Sequence, residues 1–406
     1  MSLYVLKGRV INAVDDEPLE NGVVAVRDDK IEYVGLGKDY NYPSNAEIIH
    51  VENGTILPGF MDCHCHLGSL CGKYDNVGHL DKILEIAHAI NNLLDCGFTS
   101  VRDMSIFGAP LKRAIEKGIV RGPRIMPGGR VLSILGGHGD MRPDNYPLDF
   151  YNEYNPICCI VNGVDECLKA VRNEFRNGAE FIKVCVSGGV SSPKDKLNDV
   201  QFSHEELKVI VEEAKRHGTY VAAHCSSKAG VLHALKAGIT SIEHAIDVDD
   251  ECIELMKKLD ATVVATLTVS IGVAKQEDLP EWMSKKAKEV AKTHVNAIKR
   301  LKEEGIRIAY GLDFTEGDEG YFTNSGKEFE TLVKEAGFTP MEAIKAGTIN
   351  SAHLMKMEDK IGSLEVGKLA DIVVVEGNPL EDISILKHKD NIKVVLKEGK
   401  IMKQIK

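Results

Sequence analysis

The sequence predicts an α/β protein: a (β/α)8 TIM-like barrel carrying a small β-sandwich domain formed from both chain ends. Three observations predict it. Eight short apolar runs alternate with long amphipathic stretches through the middle of the chain. Both ends are instead rich in β-forming residues, punctuated by glycine and poor in helix signals. The length of 406 residues is enough for a large core and more than one packing unit.

The N-terminal strands are expected within LYVLKGRVINA and GVVAVRDDKIEYVG, and the C-terminal ones within GSLEVGKLADIVVVEG and NIKVVLKEGKIMKQ. Chain termini commonly lie near one another on a domain surface, so residues 1–54 and 360–406 are read as one composite β-sandwich. Residues 55–359 then form the barrel. Its eight runs lie near 56–63, 98–102 (FTSVR), 124–131 (RIMPGGRV), 180–186 (EFIKVCV), 219–223 (TYVAA), 239–243 (ITSIE), 261–266 (ATVVAT) and 306–311 (IRIAYG). Helices fill the intervals. SHEELKVIVEEAKRHG opens with a capping box, Ser203 with Glu206, and closes on Gly218; Thr339, Pro340 and Glu342 open another helix in the same way.

Composition narrows the function. Hydrophobic residues make up 43% and charged residues 27%, the profile of a soluble globular protein. With Lys+Arg 50 against Asp+Glu 61 and no basic stripe, neither nucleic acid nor an anionic membrane is an expected partner. No apolar stretch approaches the roughly 20 residues a bilayer span requires, and MSLYVLKGRVINAV reads as a strand without a signal-peptide core. Ten cysteines without regular spacing do not read as a disulfide framework; the chain is placed in the cytoplasm, with Cys158-Cys159 as buried filler. The expected partner is a small-molecule substrate. The sequence leaves self-association open, although large barrels often pair into homo-oligomers.

Barrel enzymes carry their chemistry at the C-terminal ends of the strands. His64 and His66 end the first run, in LPGFMDCHCHL. Lys183 lies in the fourth, His224 ends the fifth (VAAHC), His244 the sixth (SIEHA) and Asp313 the eighth (YGLDF). Taken singly, each histidine could be a hydrogen-bonded core residue, Asp313 a helix cap and Lys183 a solvated strand end. Their joint placement at five strand ends favours a site for divalent zinc or its neighbours. Two histidines two apart on a strand share a face, which leaves Cys63 and Cys65 for packing on the other. A zinc knuckle using all four lacks a second Cys/His pair at suitable spacing.

LPGFMDCHCHL followed by Lys183, His224, His244 and Asp313 in that order resembles the amidohydrolase superfamily, as does the C-terminal stretch TINSAHLMKMEDKIGSLEVGKLADIVVVEGNPL. IKVCVSGGVSSP and Gly136–Asp140 (GGHGD) are similar to its branch of Xaa-Pro dipeptidases (prolidases) and imidazolonepropionase-like hydrolases. The resemblance implies two divalent metal ions, expected as zinc: His64, His66 and Asp313 hold one, His224 and His244 the other. It also implies that Lys183 takes up carbon dioxide as a carbamate bridging both. A hydroxide shared by the metals would attack an amide carbonyl while Asp313 carries its proton to the departing amine. The substrate would be a dipeptide such as Xaa-Pro, or an N-acyl amino acid. His138 would bind the substrate carbonyl or carboxylate. Arg102 and Asp103, ending the second run, are read as pairing with each other. Ser187-Gly188-Gly189 would let backbone approach the site.

One feature departs from the branch. The histidine matching His224 there opens a His-Ala-Tyr triplet whose tyrosine helps bind substrate. Here the triplet is His224-Cys225-Ser226, and cysteine supplies no phenol. A cyclic amide or imidazolone hydrolase, or a deaminase, is the alternative on the same fold, although many deaminases use one metal and lack the bridging lysine. A non-catalytic scaffold is the remaining class; its signature would be lost ligands, and none is lost.

Overall fold

The structure, a computed structural model, describes residues 3–70, 78–313 and 322–405. The N-terminal strands are β1 (Leu3–Val10), β2 (Leu19–Arg27), β3 (Lys30–Leu36) and β4 (Glu47–Pro58). The central strands are β5 (Phe60–Cys65), β6 (Phe98–Asp103), β7 (Arg124–Pro127), β8 (Val131–Ser133), β9 (Cys158–Ile160), β10 (Ile182–Cys185), β11 (Val221–Cys225), β12 (Ser241–His244), β13 (Thr262–Val264) and β14 (Arg307–Ala309). The chain returns through β15 (Ile372–Glu376), β16 (Ile392–Lys397) and β17 (Lys400–Gln404).

The expected barrel and terminal β-sandwich are both present. Parallel pairing runs β5-β6-β7 and β14-β13-β12-β11-β10-β8-β9. Backbone hydrogen bonds join the two arcs: Cys63 N to Tyr310 O (2.9 Å) on one side and Glu180 N to Pro127 O (2.6 Å) on the other. The run at 124–131 is divided. β7 pairs with β6, whereas β8 pairs with β10. Between them Pro127 offers no N–H donor and Gly129 takes φ 66°. β9 is an additional strand beside β8, on the stretch read as filler: Cys159 is buried and Cys158 half-buried. Nine of the ten cysteines fall within the described residues, and all nine are free thiols.

The terminal strands form one sheet in the order β17-β16-β15-β4-β1-β2-β3. Residues 368–370 draw its ends together, with Ala370 N bonded to Asp29 O (2.8 Å) and Gly399 N to Ala370 O (3.0 Å). Inside lies an apolar cluster that includes Leu6, Val24, Ile31, Ile56, Ile372 and Leu396. Alternate residues face the other way: Leu57, Val373 and Val375 enter the barrel's own core. Burial on both faces explains why IVVVE reads as an unbroken apolar run.

The first run, 56–63, is thereby shared between two sheets. β4 pairs with β15 as far as Pro58, and β5 begins at Phe60. Gly59 makes the link because a side chain there would strike Thr99. Both capping boxes form as expected, at Ser203 with Glu206 and at Thr339 with Glu342.

Candidate metal centre

β5 carries His64 and His66 to the barrel rim with their Nε2 atoms 3.2 Å apart. Asp313, just beyond β14, places Oδ1 3.4 Å from His64 Nε2 and 3.5 Å from His66 Nε2. Among the described residues, these three form a group close enough to share one ion. Lys183 Nζ, from β10, lies 3.5 Å from His64 Nε2. His244 ends β12, its ring 4.7 Å from that of His224 on β11 and its Nδ1 4.0 Å from Asp313 Oδ2. All six expected ligand positions, together with His138, line one cavity of about 550 Å³. Two other cavities, of about 720 and 540 Å³, share Thr219 and Lys356 at the opposite ends of the strands.

The remote nitrogens of the rings are held. His64 Nδ1 meets Glu243 Oε2 at 2.7 Å and His66 Nδ1 meets Met104 O at 3.2 Å. A carboxylate and a carbonyl can only accept, so both Nδ1 atoms carry the proton and both Nε2 atoms present lone pairs to Asp313. His224 Nε2 meets Gly188 O (3.2 Å) and Ser226 Oγ (3.0 Å), which makes Nδ1 its lone-pair nitrogen. His244 Nδ1 meets Thr266 Oγ1 at 2.6 Å. Lone pairs and a carboxylate converging at this spacing repel one another unless a cation lies between them. The donor set therefore fits divalent metal, and the outer hydrogen bonds are of the kind that orient ligating imidazoles.

Electrostatics agree. Burial, then the Lys183 charge, holds His64 well below the usual histidine range and His66 at about 3. Burial and neighbouring histidines do the same to His224 and His244. Neutral imidazoles are the form that binds metal. Burial pushes Asp313 up to about 7 even with Lys183 nearby. Left-handed backbone occurs here at four non-glycine residues: His244, Ala245, Thr266 and Asp313 take φ of 70°, 51°, 53° and 50°. Left-handed backbone at non-glycine residues costs of order 1 kcal/mol each and persists where the surroundings impose it.

Several important residues have no signature in the sequence. Glu243, fully buried, accepts from Arg102 Nη2 (2.6 Å) and Ser241 Oγ (2.8 Å) besides holding His64. Arg102 also donates to Cys63 O at 2.6 Å. Arg102 and Asp103 therefore do not pair with each other. Neighbours on a strand face opposite ways, and Asp103 instead accepts from Leu67 N (2.8 Å) and Ser105 Oγ (2.8 Å). Cys63 and Cys65 are packing residues: Cys63 lies with Met61 and Ala352, its Sγ 3.9 Å from Ser351 O, and Cys65 lies in the barrel's main core. The same alternation bears on Cys225, which is buried in that core, whereas Ser226 lines the cavity. The position facing substrate space is thus Ser226.

His138 lines the cavity as well, stacked on His224 with centroids 4.2 Å apart and planes 20° from parallel. Burial holds it at about 4, hence neutral near pH 7, although Asp195 opposes the shift. The rest of the cavity is largely apolar, with Val190, Ile246, Val269, Val273, Met283 and Val290 on its wall. Among the described residues no helix is long and apolar enough to cross a membrane.

The chain is similar to known proteins over nearly its whole length. Residues 55–402 match the model of the amidohydrolase family. An ochratoxinase from Aspergillus niger is 36% identical over 96% of this chain and 84% of its own length. An imidazolonepropionase from Caldanaerobacter subterraneus subsp. tengcongensis is 27% identical, covering 90% of this chain and 86% of its own. The crystal structure of a prolidase complexed with N-methylphosphonate-L-proline superposes with a TM-score of 0.91 at 31% identity, over 100% of both chains.

Proposed function

The chain belongs to the amidohydrolase family, a family of hydrolases acting on carbon–nitrogen bonds, and from that premise we propose a binuclear, metal-dependent hydrolase of small amides. In this reading His64, His66 and Asp313 would hold one divalent ion and His224 and His244 a second, and Lys183, carboxylated by carbon dioxide, would supply a further anionic ligand. Zinc is the metal that best suits the imidazole and carboxylate donors. The carrying observation is the convergence of all six side chains on one cavity, with outer hydrogen bonds fixing the four rings. Bound there, the ions would polarise a scissile carbonyl and lower the pKa of water toward about 7.

The remaining roles belong to the chain. Glu243, Met104 O, Ser226 and Thr266 hold the imidazoles in one orientation. Asp313 can take a proton at Oδ and pass it to the departing amine. An amine leaves poorly without that proton. The apolar wall excludes bulk water and suits an apolar substituent on a dipeptide such as Xaa-Pro or on an N-acyl amino acid. The ochratoxinase and prolidase likenesses support such substrates. A cyclic amide is the second reading, supported by the imidazolonepropionase likeness. Free thiols throughout the described residues fit a reducing, cytoplasmic setting.

Metal analysis of protein grown with zinc and bicarbonate, beside a Lys183→Ala variant, tests the proposal. About two equivalents in the parent and a clear loss in the variant are expected. One equivalent or fewer, unchanged by the substitution, would sink the two-metal reading.

Metal uptake should also depend on pH. Below about pH 7 Asp313 carries a proton that an incoming cation must displace. Apparent affinity should therefore fall as pH drops through 7, by up to about tenfold per unit for one displaced proton. Zinc titration of metal-free protein at pH 6 and pH 8, in buffers of different ionisation heat, measures both the affinity and the protons released. Equal affinity at both values would contradict a raised Asp313.

A further inference from the structure

The helix Leu267–Ala274, LTVSIGVA, starts shortly after β13 and turns Val269, Ser270 and Val273 into the cavity. Met283, Ala287 and Val290, from the helix Glu281–Glu303, line the same cavity. With only eight residues, the first helix is marginal by itself, and its leading N–H groups have no partners within it. Its N-cap is Thr266, a residue type whose hydroxyl ordinarily accepts one of those N–H groups. Here that hydroxyl lies 2.6 Å from His244 Nδ1 and makes no capping bond.

Another element supplies the missing acceptors. Glu328, in the first turn of the helix Lys327–Ala336, is fully buried. Its Oε1 accepts from Leu267 N and its Oε2 from Thr268 N, each at 2.7 Å. Beside it the hydroxyls of Thr268 and Thr331 meet at 2.9 Å. The backbone N–H of Glu328 donates in turn to Tyr310 Oη (3.3 Å), just past β14. One carboxylate thus grips two consecutive amides at the end of a helix where its dipole favours negative charge. Thr266 serves a metal-site histidine, and Glu328 takes over the capping that Thr266 gives up. Past Thr268 the helix is only half-buried, with Ser270 Oγ 2.8 Å from His294 Nδ1 as a further polar tie.

We propose that Glu328 is a positioning residue that sets where Val269 and Val273 stand in the cavity, and that this wall, with Met283, Ala287 and Val290, seats a bulky apolar group of the amide substrate. This rests on the amide-hydrolase reading and narrows its substrate class to amides with an aromatic or long aliphatic substituent. Glu328 itself touches no substrate; it acts through the helix it caps.

The test compares kcat/KM for three substrates of the zinc-loaded protein. N-acetylglycine is the small reference, N-benzoylglycine enlarges the acyl side and N-acetyl-L-phenylalanine the amine side. The parent should prefer at least one bulky substrate. Glu328→Gln sets an NH2 group against one of the two backbone N–H groups, and should cut that preference by about tenfold, the size of one lost buried hydrogen bond. Hydrogen exchange across 267–274 should quicken, with metal content unchanged. A merely structural loss would lower the active fraction for all three substrates alike and leave their ratio fixed. Val273→Phe keeps the clamp but crowds the wall, and should lower kcat/KM for the preferred bulky substrate more than for N-acetylglycine. If Glu328→Gln does not fold, Thr331→Val, which cuts the neighbouring tie and keeps the carboxylate, should show a smaller shift in the same sense. No preference in the parent, fixed ratios in the variants, or unchanged exchange across 267–274 would overturn the proposal. The exchange measurement needs no catalysis. Quickened exchange in a protein that cleaves no amide would refute the hydrolase reading and leave the clamp standing.

Discussion

Arg102→Met should destabilise the fold by about 3–5 kcal/mol, the range for removing one partner of a buried ion pair, and Tm should fall by several degrees. The guanidinium and the Glu243 carboxylate are both fully buried and meet at 2.6 Å. Burial works against the Arg102 charge, but Glu243 overrides it and holds the group protonated. Removing the arginine leaves a carboxylate without its counter-charge and Ser241 Oγ and Cys63 O without a donor. Methionine roughly fills the space, so most of the loss is electrostatic. The double variant Arg102→Met, Glu243→Gln should recover part of it, which thermal melts of all three proteins would reveal as non-additivity. A single variant as stable as the parent would remove the pair from any account of how the barrel interior is held. Since Glu243 also orients His64, the single variant should bind metal less tightly as well.

Asp313→Asn is expected to lower kcat by about 10²–10⁴-fold, the range for a group that moves a proton in the transition state. The amide matches the carboxylate in shape but cannot take up the proton. It is also a weaker ligand, so metal content should be measured on the same preparation. A variant retaining metal and working within tenfold of the parent would show that the proton travels by another route. The pH profile carries a second sign: in the parent, activity that needs the ionised carboxylate should be lost as pH falls through its pKa, and this limb should be absent from any residual activity of the variant.

The parts legible in the sequence were those encoded locally. A histidine or aspartate ending an apolar run is visible in one dimension, and the barrel geometry turns strand ends into a shared rim. His64, His66, Lys183, His224, His244 and Asp313 could be named on that basis, and the structure brings them into one cavity. The capping boxes at Ser203 and Thr339 are four-residue signals and formed as read. The missed features are through-space partnerships. Arg102 and Glu243 lie 141 residues apart, and no local pattern joins them. Glu328 looks like an ordinary charged helix residue until the helix Leu267–Ala274 is seen resting on its carboxylate. The divided strand at 124–131 was concealed because a Pro-Gly-Gly interruption in an apolar run looks the same whether the strand bends or splits. The Arg102/Asp103 reading treated adjacent strand residues as neighbours, although alternation puts them on opposite faces; the Cys225 reading set the tyrosine of the family triplet against its second position, whereas the third, Ser226, is the one that lines the cavity.

The passage from β4 to β5 has a mechanical consequence. One nearly continuous length of chain is gripped at one end by β1 and β15 of the terminal sheet and, past Gly59, bears two imidazoles at its other end. Leu57, Val373 and Val375 anchor that member in the barrel's core. Tension at the chain termini would thus pass along this strand to His64 and His66, and an ion bound there, as proposed, would brace the termini in return. The two folding units are coupled like a beam set into two walls, so neither can loosen without the other feeling the load.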